Sequence, residues 1–296
     1  MSTPSLSPRP TRAALGIGLH LAGLATLSSL DATGKLLVAV GVPVLWLSWV
    51  RYGLHVVLMS TLVLPRRGKR LFATRSLALQ LARGVAMLCT TLLFFSVLRI
   101  APLAEGTAMN FVAPLIVMAL APWLLGEPHR LHRWVGVCAG FVGMLLVVRP
   151  GGALSTTAVM LGMATAATFA VYQISNRLVA HDDPLTSNFY GGLVGTAGLT
   201  LALPFAPPLP PLDTGQWLLL ASTGLTGFLG HWLQITAYRE APATLLAPFS
   251  YAQIVVAALL GWAVFGQLPD ATTALGIAVI CAAGLGVALY ERNRSS

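Results

Sequence analysis

Polar side chains recur on one face of an apolar segment in the second half of the chain. Gly224, Gly227, His231, Gln234 and Tyr238 lie three or four positions apart, a spacing that aligns side chains along one face of a helix. An imidazole and an amide in such a segment could hydrogen-bond a polar solute, while the glycines leave space beside them. The alternative is hydrogen bonding between helices. We therefore interpret His231 and Gln234 as candidate substrate-binding residues.

Other polar and aromatic side chains within apolar segments extend this candidate site. Tyr172 and Tyr251 could stack on an apolar substrate and donate a hydroxyl group, although simple packing is the alternative for each ring. Arg83 could meet a substrate carboxylate or extend to the membrane interface, because an arginine inside a span needs a partner or a water route. The full set predicted to bind substrate is His231, Gln234, Tyr251, Gln253, Tyr172, Gln173, Asn110, Arg83, Thr91 and Phe94.

Two charged residues near the end of the first apolar segment are spaced for an ion pair. Asp31 and Lys35 lie four positions apart, which brings their side chains together on a helix. We predict a structural ion pair between them, with Arg51 as an alternative partner for Asp31. Aromatic residues after this segment, including Trp46 and Tyr52, are typical of an interfacial belt.

The sequence offers little that could support catalysis. It has no nucleophile elbow, no His-Glu-x-x-His run and no phosphate-binding loop. Its three cysteines, Cys89, Cys138 and Cys281, are scattered, so we expect neither a metal site nor a cofactor. The acidic turn Asp182–Asp183 is expected to be solvated. A membrane-embedded enzyme acting on lipid or isoprenoid substrates is the alternative function, but it would need clustered acids or metal ligands.

Composition indicates that the chain is surrounded by lipid. Of its 296 residues, 56% are hydrophobic and 9% are charged, and the mean hydropathy is +0.79. Soluble domains carry roughly a quarter charged residues, so these charges are too few to coat a soluble surface. The net charge of +9 could indicate nucleic-acid binding, but the basic residues lie mainly between apolar runs, as in cytoplasmic membrane loops. We expect membrane lipid and a small-molecule substrate as partners, and no nucleic acid.

Hydropathy predicts an all-α membrane protein with ten transmembrane helices. A helix needs about 20 apolar residues to span a bilayer, and barrel strands would show an alternation that is absent here. We interpret the first segment as an uncleaved helix. The predicted segments are 13–36, 44–64, 76–99, 106–125, 133–149, 156–180, 185–204, 216–238, 244–265 and 271–290.

The chain contains an internal duplication. Residues 99–110 resemble residues 239–250 at a constant offset of 140, which pairs Pro102 with Pro242 and Gly126 with Gly266. Because each half holds five helices, an odd number, the second half must enter the membrane from the opposite side. Inverted repeats of this kind are typical of secondary transporters, with a site near the midplane between them.

Prolines mark the candidate gates or hinges of these repeats. Pro102 and Pro242 are predicted to end the third and eighth helices, whereas Pro114 and Pro248 are predicted within the fourth and ninth. A proline inside a helix frees a backbone carbonyl, which could bind a substrate ammonium group or permit bending. A loop or kink without any ligand is the alternative, particularly at Pro102 and Pro242.

The distribution of basic residues predicts that both termini are cytoplasmic. Basic residues concentrate at segment ends on the side of the N-terminus, as in the run 65–70, and few lie at the opposite ends. The predicted organisation is a cytoplasmic tail at 1–12, repeats at 13–150 and 151–291, and a cytoplasmic tail at 292–296.

The repeated motif resembles the drug/metabolite transporter superfamily, and more narrowly its EamA-type exporters. The resemblance rests on the stretches 99–105, 125–128, 238–242 and 265–267, where Gln267 departs from the family's glutamate. It implies helices arranged around a central cavity, with the fifth and tenth at the periphery and a possible homodimer contact there. It also implies alternating-access export of small metabolites across the bacterial inner membrane. Amino acids are the expected substrates, and the aromatic amino acid exporters are the narrower match.

Overall fold

A computed structural model describes residues 13–124, 131–148, 154–241 and 246–295, and these residues form helices without any β-strand. The helices are α1 (Ala13–Ala39), α2 (Val44–Leu58), α3 (Leu64–Arg67), α4 (Leu77–Ile100), α5 (Leu103–Asn110), α6 (Ala113–Leu124), α7 (Leu131–Val148), α8 (Thr156–Leu178), α9 (Pro184–Ala202), α10 (Thr214–Glu240), α11 (Ala252–Phe265) and α12 (Ala271–Ser295).

These helices make ten membrane spans. A π-helical turn at Met59–Val63 joins α2 to α3 in one span, and α5 and α6 together form another. Large apolar side chains point outward, for example Phe205 at 87% exposure and Leu201 at 77%, which suits a lipid-facing surface. Five described spans are long and apolar enough to cross a membrane by themselves, namely Ala13–Ala39, Val44–Phe72, Leu77–Ile100, Leu103–Leu120 and Thr156–Leu178. The predicted all-α membrane fold is confirmed.

Prolines account for two of the helix boundaries. Pro114 has no N–H to donate to the carbonyl of Asn110, so α5 ends at Asn110 and α6 begins at Ala113. Pro248 likewise lies at the start of the 3-10 turn Ala247–Tyr251 that leads into α11. Both prolines were predicted within helices, but each lies in the first turn of a new one, where the missing N–H is tolerated.

Helix α1 runs the length of the bundle, and the two copies of the repeated motif lie near its opposite ends. A side chain at Gly16 would collide with Ala241, the residue that follows α10, whereas Lys35 donates to the carbonyl of Ala101, just before α5. The 19 residues between Gly16 and Lys35 correspond to roughly 29 Å of helix. The two breaks therefore lie at opposite ends of the fold, as inverted repeats require. Pro102 precedes α5 directly, whereas Pro242 lies outside the described residues.

Helices α7 and α12, the last span of each repeat, pack closely on one another. A Cβ atom at Gly276 would lie 2.6 Å from the carbonyl oxygen of Gly143, and one at Gly143 would lie 2.8 Å from that of Gly276. Only glycine permits such a close approach of two helix backbones. The remaining spans surround the centre of the molecule, with α1 against α10 and α4 against both α8 and α9.

Candidate functional site

A cavity of about 170 Å³ lies at the centre of the bundle and is lined by both repeats. Its walls combine aromatic rings with a small set of polar groups, as in sites that bind amphiphilic molecules. The aromatic lining residues are Phe94, Phe95, Phe111 and Phe169. The polar lining residues are Asp31, Arg51, Thr90, Thr91, Thr107, Asn110, His231 and Gln253.

Arg51 supplies a buried cation to this cavity. It is 9% exposed, donates one hydrogen bond to Thr91 Oγ1 at 3.2 Å, and lies 5.2 Å from the ring centre of Tyr52. Within the described residues, neither Arg51 nor Asp31 has an ion-pair partner within 4 Å. A guanidinium group has five donors, so Arg51 retains donors for a ligand. Its position is fixed by the ring and hydroxyl beside it.

The cavity narrows towards Arg83. A second space of about 30 Å³ continues from the first, with Arg51, Met87 and His231 lining both. Between Arg51 and Arg83 it is bordered by His55 and Tyr172. This second space is too small to hold an organic solute, so the cavity is constricted in this direction.

Arg83 is bound to the protein on three sides. Its guanidinium group donates to Asn176 Oδ1, to the carbonyl of Ser187 at 2.6 Å and to Tyr172 Oη at 3.0 Å. These contacts join α4 to α8 and α9, and each of the three guanidinium nitrogens takes part. In this conformation Arg83 directs these donors to the protein, rather than offering them to a substrate carboxylate as the sequence predicted.

Beyond Arg83 a buried carboxylate holds the same end together. Asp182 accepts hydrogen bonds from Thr74 Oγ1 at 2.5 Å, the Arg75 amide at 3.1 Å and Gln80 Nε2 at 2.9 Å. Burial alone would raise the pKa of Asp182, but the bonds from Thr74, Gln80 and Arg75, with His181 beside it, hold the pKa below its ordinary value of 3.8. Asp182 is 8% exposed, so it is not the solvated turn residue that the sequence indicated.

The adjacent Asp183 adds an outer layer to this closure. It lies 3.0 Å from Arg67 and 3.8 Å from Arg239, which come from different repeats. All three side chains are more than a third exposed, so these pairs contribute little to stability compared with Asp182.

Lys35 occupies the opposite end of the bundle. Its amine donates to the carbonyls of Leu98 at 2.8 Å and Ala101 at 2.5 Å, at the C-terminal end of α4. The predicted ion pair with Asp31 is therefore not formed. The carbonyls that end a helix have no helical donors, and the partial negative charge there attracts a cation.

Seven of the ten predicted substrate-binding residues line the two spaces. They are His231, Tyr172, Asn110, Arg83, Thr91, Phe94 and Gln253. Gln234 instead donates to the backbone carbonyl of His20 at 3.2 Å, and so joins α10 to α1. Tyr251 packs on Phe111 at 5.4 Å between ring centres, and Gln173 is not among the described lining residues of either space.

The predicted set of substrate-binding residues omitted four contributors on α2 and α5. Tyr52 was assigned to an interfacial belt, but it is 5% exposed and its hydroxyl group lies 2.8 Å from Thr91 Oγ1. Arg51 and His55 lie four positions apart and both line the smaller space, a spacing that could have identified them. Thr107 gave no signal, because one threonine in an apolar segment is ordinary.

Comparison with known proteins gives a consistent family assignment. A model of the EamA-like transporter family matches residues 14–149 and 156–289. A riboflavin transporter of Vibrio cholerae is 31% identical over 198 residues, covering 66% of this chain and 65% of that protein's length. An S-adenosylmethionine uptake transporter of Rickettsia prowazekii is 28% identical over 212 residues, covering 69% of this chain and 71% of that protein.

A solved crystal structure of a protein shares the fold. It has a TM-score of 0.67 and 21% sequence identity, and the match covers 96% of this chain and 99% of the other. At this identity the likeness concerns the arrangement of the helices alone.

Proposed function

This chain belongs to the EamA-like transporter family, and we propose that it is a secondary transporter for small organic solutes with an aromatic part and a carboxylate. Aromatic amino acids are the first candidates, exported from a bacterial cytoplasm by alternating access. The observation that carries this proposal is Arg51, a buried guanidinium group with no carboxylate within 4 Å among the described residues, in a cavity walled by aromatic rings.

Arg51 suits a carboxylate for geometric reasons. The planar guanidinium group can donate two parallel hydrogen bonds to a carboxylate, and such charge-assisted bonds are stronger than neutral ones. Phe94 and Phe169 line the same cavity and can pack against a flat apolar group. The aromatic part and the carboxylate would thus be bound at the same time by residues of both repeats.

The named relatives define rival substrates. Riboflavin has a planar ring system and no carboxylate, whereas S-adenosylmethionine has both a purine and an amino-acid carboxylate. The second relative is named for uptake, so the direction of transport needs its own test. We propose export with both termini in the cytoplasm, as the basic residues predict; a reporter fused to each terminus would determine the side.

Counterflow in proteoliposomes tests the substrate without knowledge of the driving force. Vesicles loaded with unlabelled L-phenylalanine, S-adenosylmethionine or riboflavin should accumulate the labelled form of a true substrate. We expect wild-type protein to exchange solutes that carry a carboxylate, and Arg51→Gln to reduce this exchange by roughly tenfold or more. Arg66→Gln is the matched control, because Arg66 is exposed and donates to the carbonyl of Leu62 in its own span.

Three results would contradict the proposal. Exchange of riboflavin alone by the wild-type protein would reject a carboxylate substrate. Equal loss of exchange in the Arg51 and Arg66 variants would reject a specific role for Arg51. Recovery of chemically altered solute from the vesicles would favour a membrane-embedded enzyme instead.

A further inference from the structure

Thr107 differs from the other buried threonines in the described helices. Thr90 and Thr165 each donate a hydrogen bond to the carbonyl four residues earlier in their own helix. Thr107 is 2% exposed, yet its Oγ1 has no hydrogen-bond partner within the described residues. The buried hydroxyls of Ser28 and Ser48 also lack partners, but of the three only Thr107 is among the residues lining the central cavity.

Asn110 presents a second unpartnered acceptor one turn further along α5. Its Oδ1 is buried without a donor among the described residues, and Asn110 also lines the cavity. The helix ends at this residue, and Pro114 cannot donate to its carbonyl. The break between α5 and α6 therefore combines two side-chain acceptors with a backbone carbonyl that has no helical donor.

The other polar residues around this break are consistent with a bound cation. Asp31 contributes a carboxylate from α1, and Gln253 contributes an amide from α11. A buried acceptor without a donor is costly, so a wall built from such acceptors is best satisfied by a ligand that brings several N–H groups. A primary ammonium group brings three and carries the charge that complements Asp31.

On the basis of the transport function proposed above, we propose that Thr107, Asn110 and Asp31 form a subsite for the ammonium group of the substrate. Arg51 takes the carboxylate in the same cavity, so the substrate class becomes the α-amino carboxylates. Amino acids and S-adenosylmethionine fit both subsites, whereas riboflavin, which has no ammonium group, fits neither.

A pair of ligands that differ only in the amine tests this assignment. L-Phenylalanine and 3-phenylpropanoate share the ring and the carboxylate, so the ratio of their inhibition constants for L-phenylalanine exchange measures the contribution of the ammonium group. We expect wild-type protein to favour L-phenylalanine, and Thr107→Val to reduce this preference by roughly tenfold while leaving 3-phenylpropanoate binding unchanged.

Matched variants separate this effect from a folding defect. Thr107→Ser retains the hydroxyl group and should restore the preference. Thr165→Val removes an equally buried hydroxyl that bonds within its own helix, and should leave the preference unchanged. Because the readout is a ratio of two ligands on one protein sample, a lower yield of folded protein does not alter it.

The possible failures are distinguishable. If wild-type protein exchanges L-phenylalanine but binds 3-phenylpropanoate equally well, the ammonium subsite is overturned and the carboxylate site at Arg51 stands. An unchanged preference in Thr107→Val also overturns the subsite alone. If the wild-type protein exchanges no carboxylate solute, the transport proposal itself fails, and the subsite fails with it.

Discussion

Replacing Asp182 by asparagine tests whether a buried carboxylate stabilises one end of the bundle. The carboxylate receives three hydrogen bonds, from Thr74, the Arg75 amide and Gln80, and His181 lies 3.5 Å away. These contacts connect the loop before α4, α4 itself and the turn between α8 and α9. Asparagine preserves the size of the side chain but removes its charge and one acceptor.

The expected loss of folding stability in Asp182→Asn follows from the individual contacts. An amide oxygen can still accept from the Arg75 N–H, but the amide nitrogen would face Gln80 Nε2, which is also a donor and already bonds Ser187 Oγ at 2.9 Å. At least one hydrogen bond to a charged group is lost, worth about 1.5–3 kcal/mol in a buried site. The neighbouring Asp183 is more than a third exposed, so water is close and the lower part of this range applies. We expect a loss of about 1–2 kcal/mol of stability at neutral pH.

Thermal unfolding in detergent, compared across pH, measures this loss. The hydrogen bonds lower the pKa of Asp182 in the folded state, so its contribution is present above the ordinary value of 3.8 and is lost as the pH falls through the lower folded-state pKa. The difference between wild type and Asp182→Asn should therefore shrink below about pH 4.

A second aspartate provides the control. Asp213 is exposed and caps α10 by accepting from the Gln216 amide at 2.8 Å. Asparagine caps helices as well as aspartate, so Asp213→Asn should change stability by less than roughly 0.5 kcal/mol. The reasoning is refuted if Asp182→Asn is as stable as Asp213→Asn, or if its deficit persists unchanged in acid.

Two further substitutions test how the ends and the periphery are held. Gly276→Ala should destabilise the protein by about 1–3 kcal/mol, because its Cβ would lie 2.6 Å from the Gly143 carbonyl oxygen. Gly286→Ala on the same helix would meet nothing within 4 Å and should stabilise the protein by up to about 1 kcal/mol. Changes in melting temperature of the same sign in both variants would contradict this packing. Lys35→Met should destabilise by about 2 kcal/mol, because it removes two hydrogen bonds to the end of α4. A cysteine introduced in place of Leu98 should react faster with a thiol reagent in the Lys35→Met variant than with Lys35 present. An unchanged labelling rate would show that Lys35 does not hold that end.

The fold could be predicted because the signals that define it lie along the chain. Lipid requires every span to be apolar and about 20 residues long, so hydropathy locates them: the predicted segments 13–36 and 216–238 differ from α1 and α10 by at most three residues at any end. The gapless offset between Pro102 and Pro242 revealed the duplication. The exact place where the fourth span breaks depends on Pro114, whose effect falls four residues earlier.

The site was harder to predict because it depends on how each helix is rotated about its axis. In a soluble protein an apolar stripe marks the buried face, but here the outer face is apolar as well. His231 and Gln234 share one face of α10, yet His231 lines the cavity while Gln234 meets α1, where Gly23 and Gly230 bring the two helices together. Tyr172 and Gln173 are consecutive, but only Tyr172 is among the described lining residues, because consecutive side chains point in different directions around a helix.

The two ends of the molecule are related by the repeat but held together by different contacts. At the first copy of the motif, the Lys35 amine binds backbone carbonyls just before Pro102; at the second, Arg239 and Arg67 flank Asp183, next to the buried Asp182. Two identical sets of contacts would weaken together under any change of conditions. These differ, because protonation of Asp182 weakens one end and leaves the lysine contact intact. Under the alternating access proposed above, Asp182→Asn and Lys35→Met should therefore shift accessibility of the central cavity towards opposite ends of the bundle.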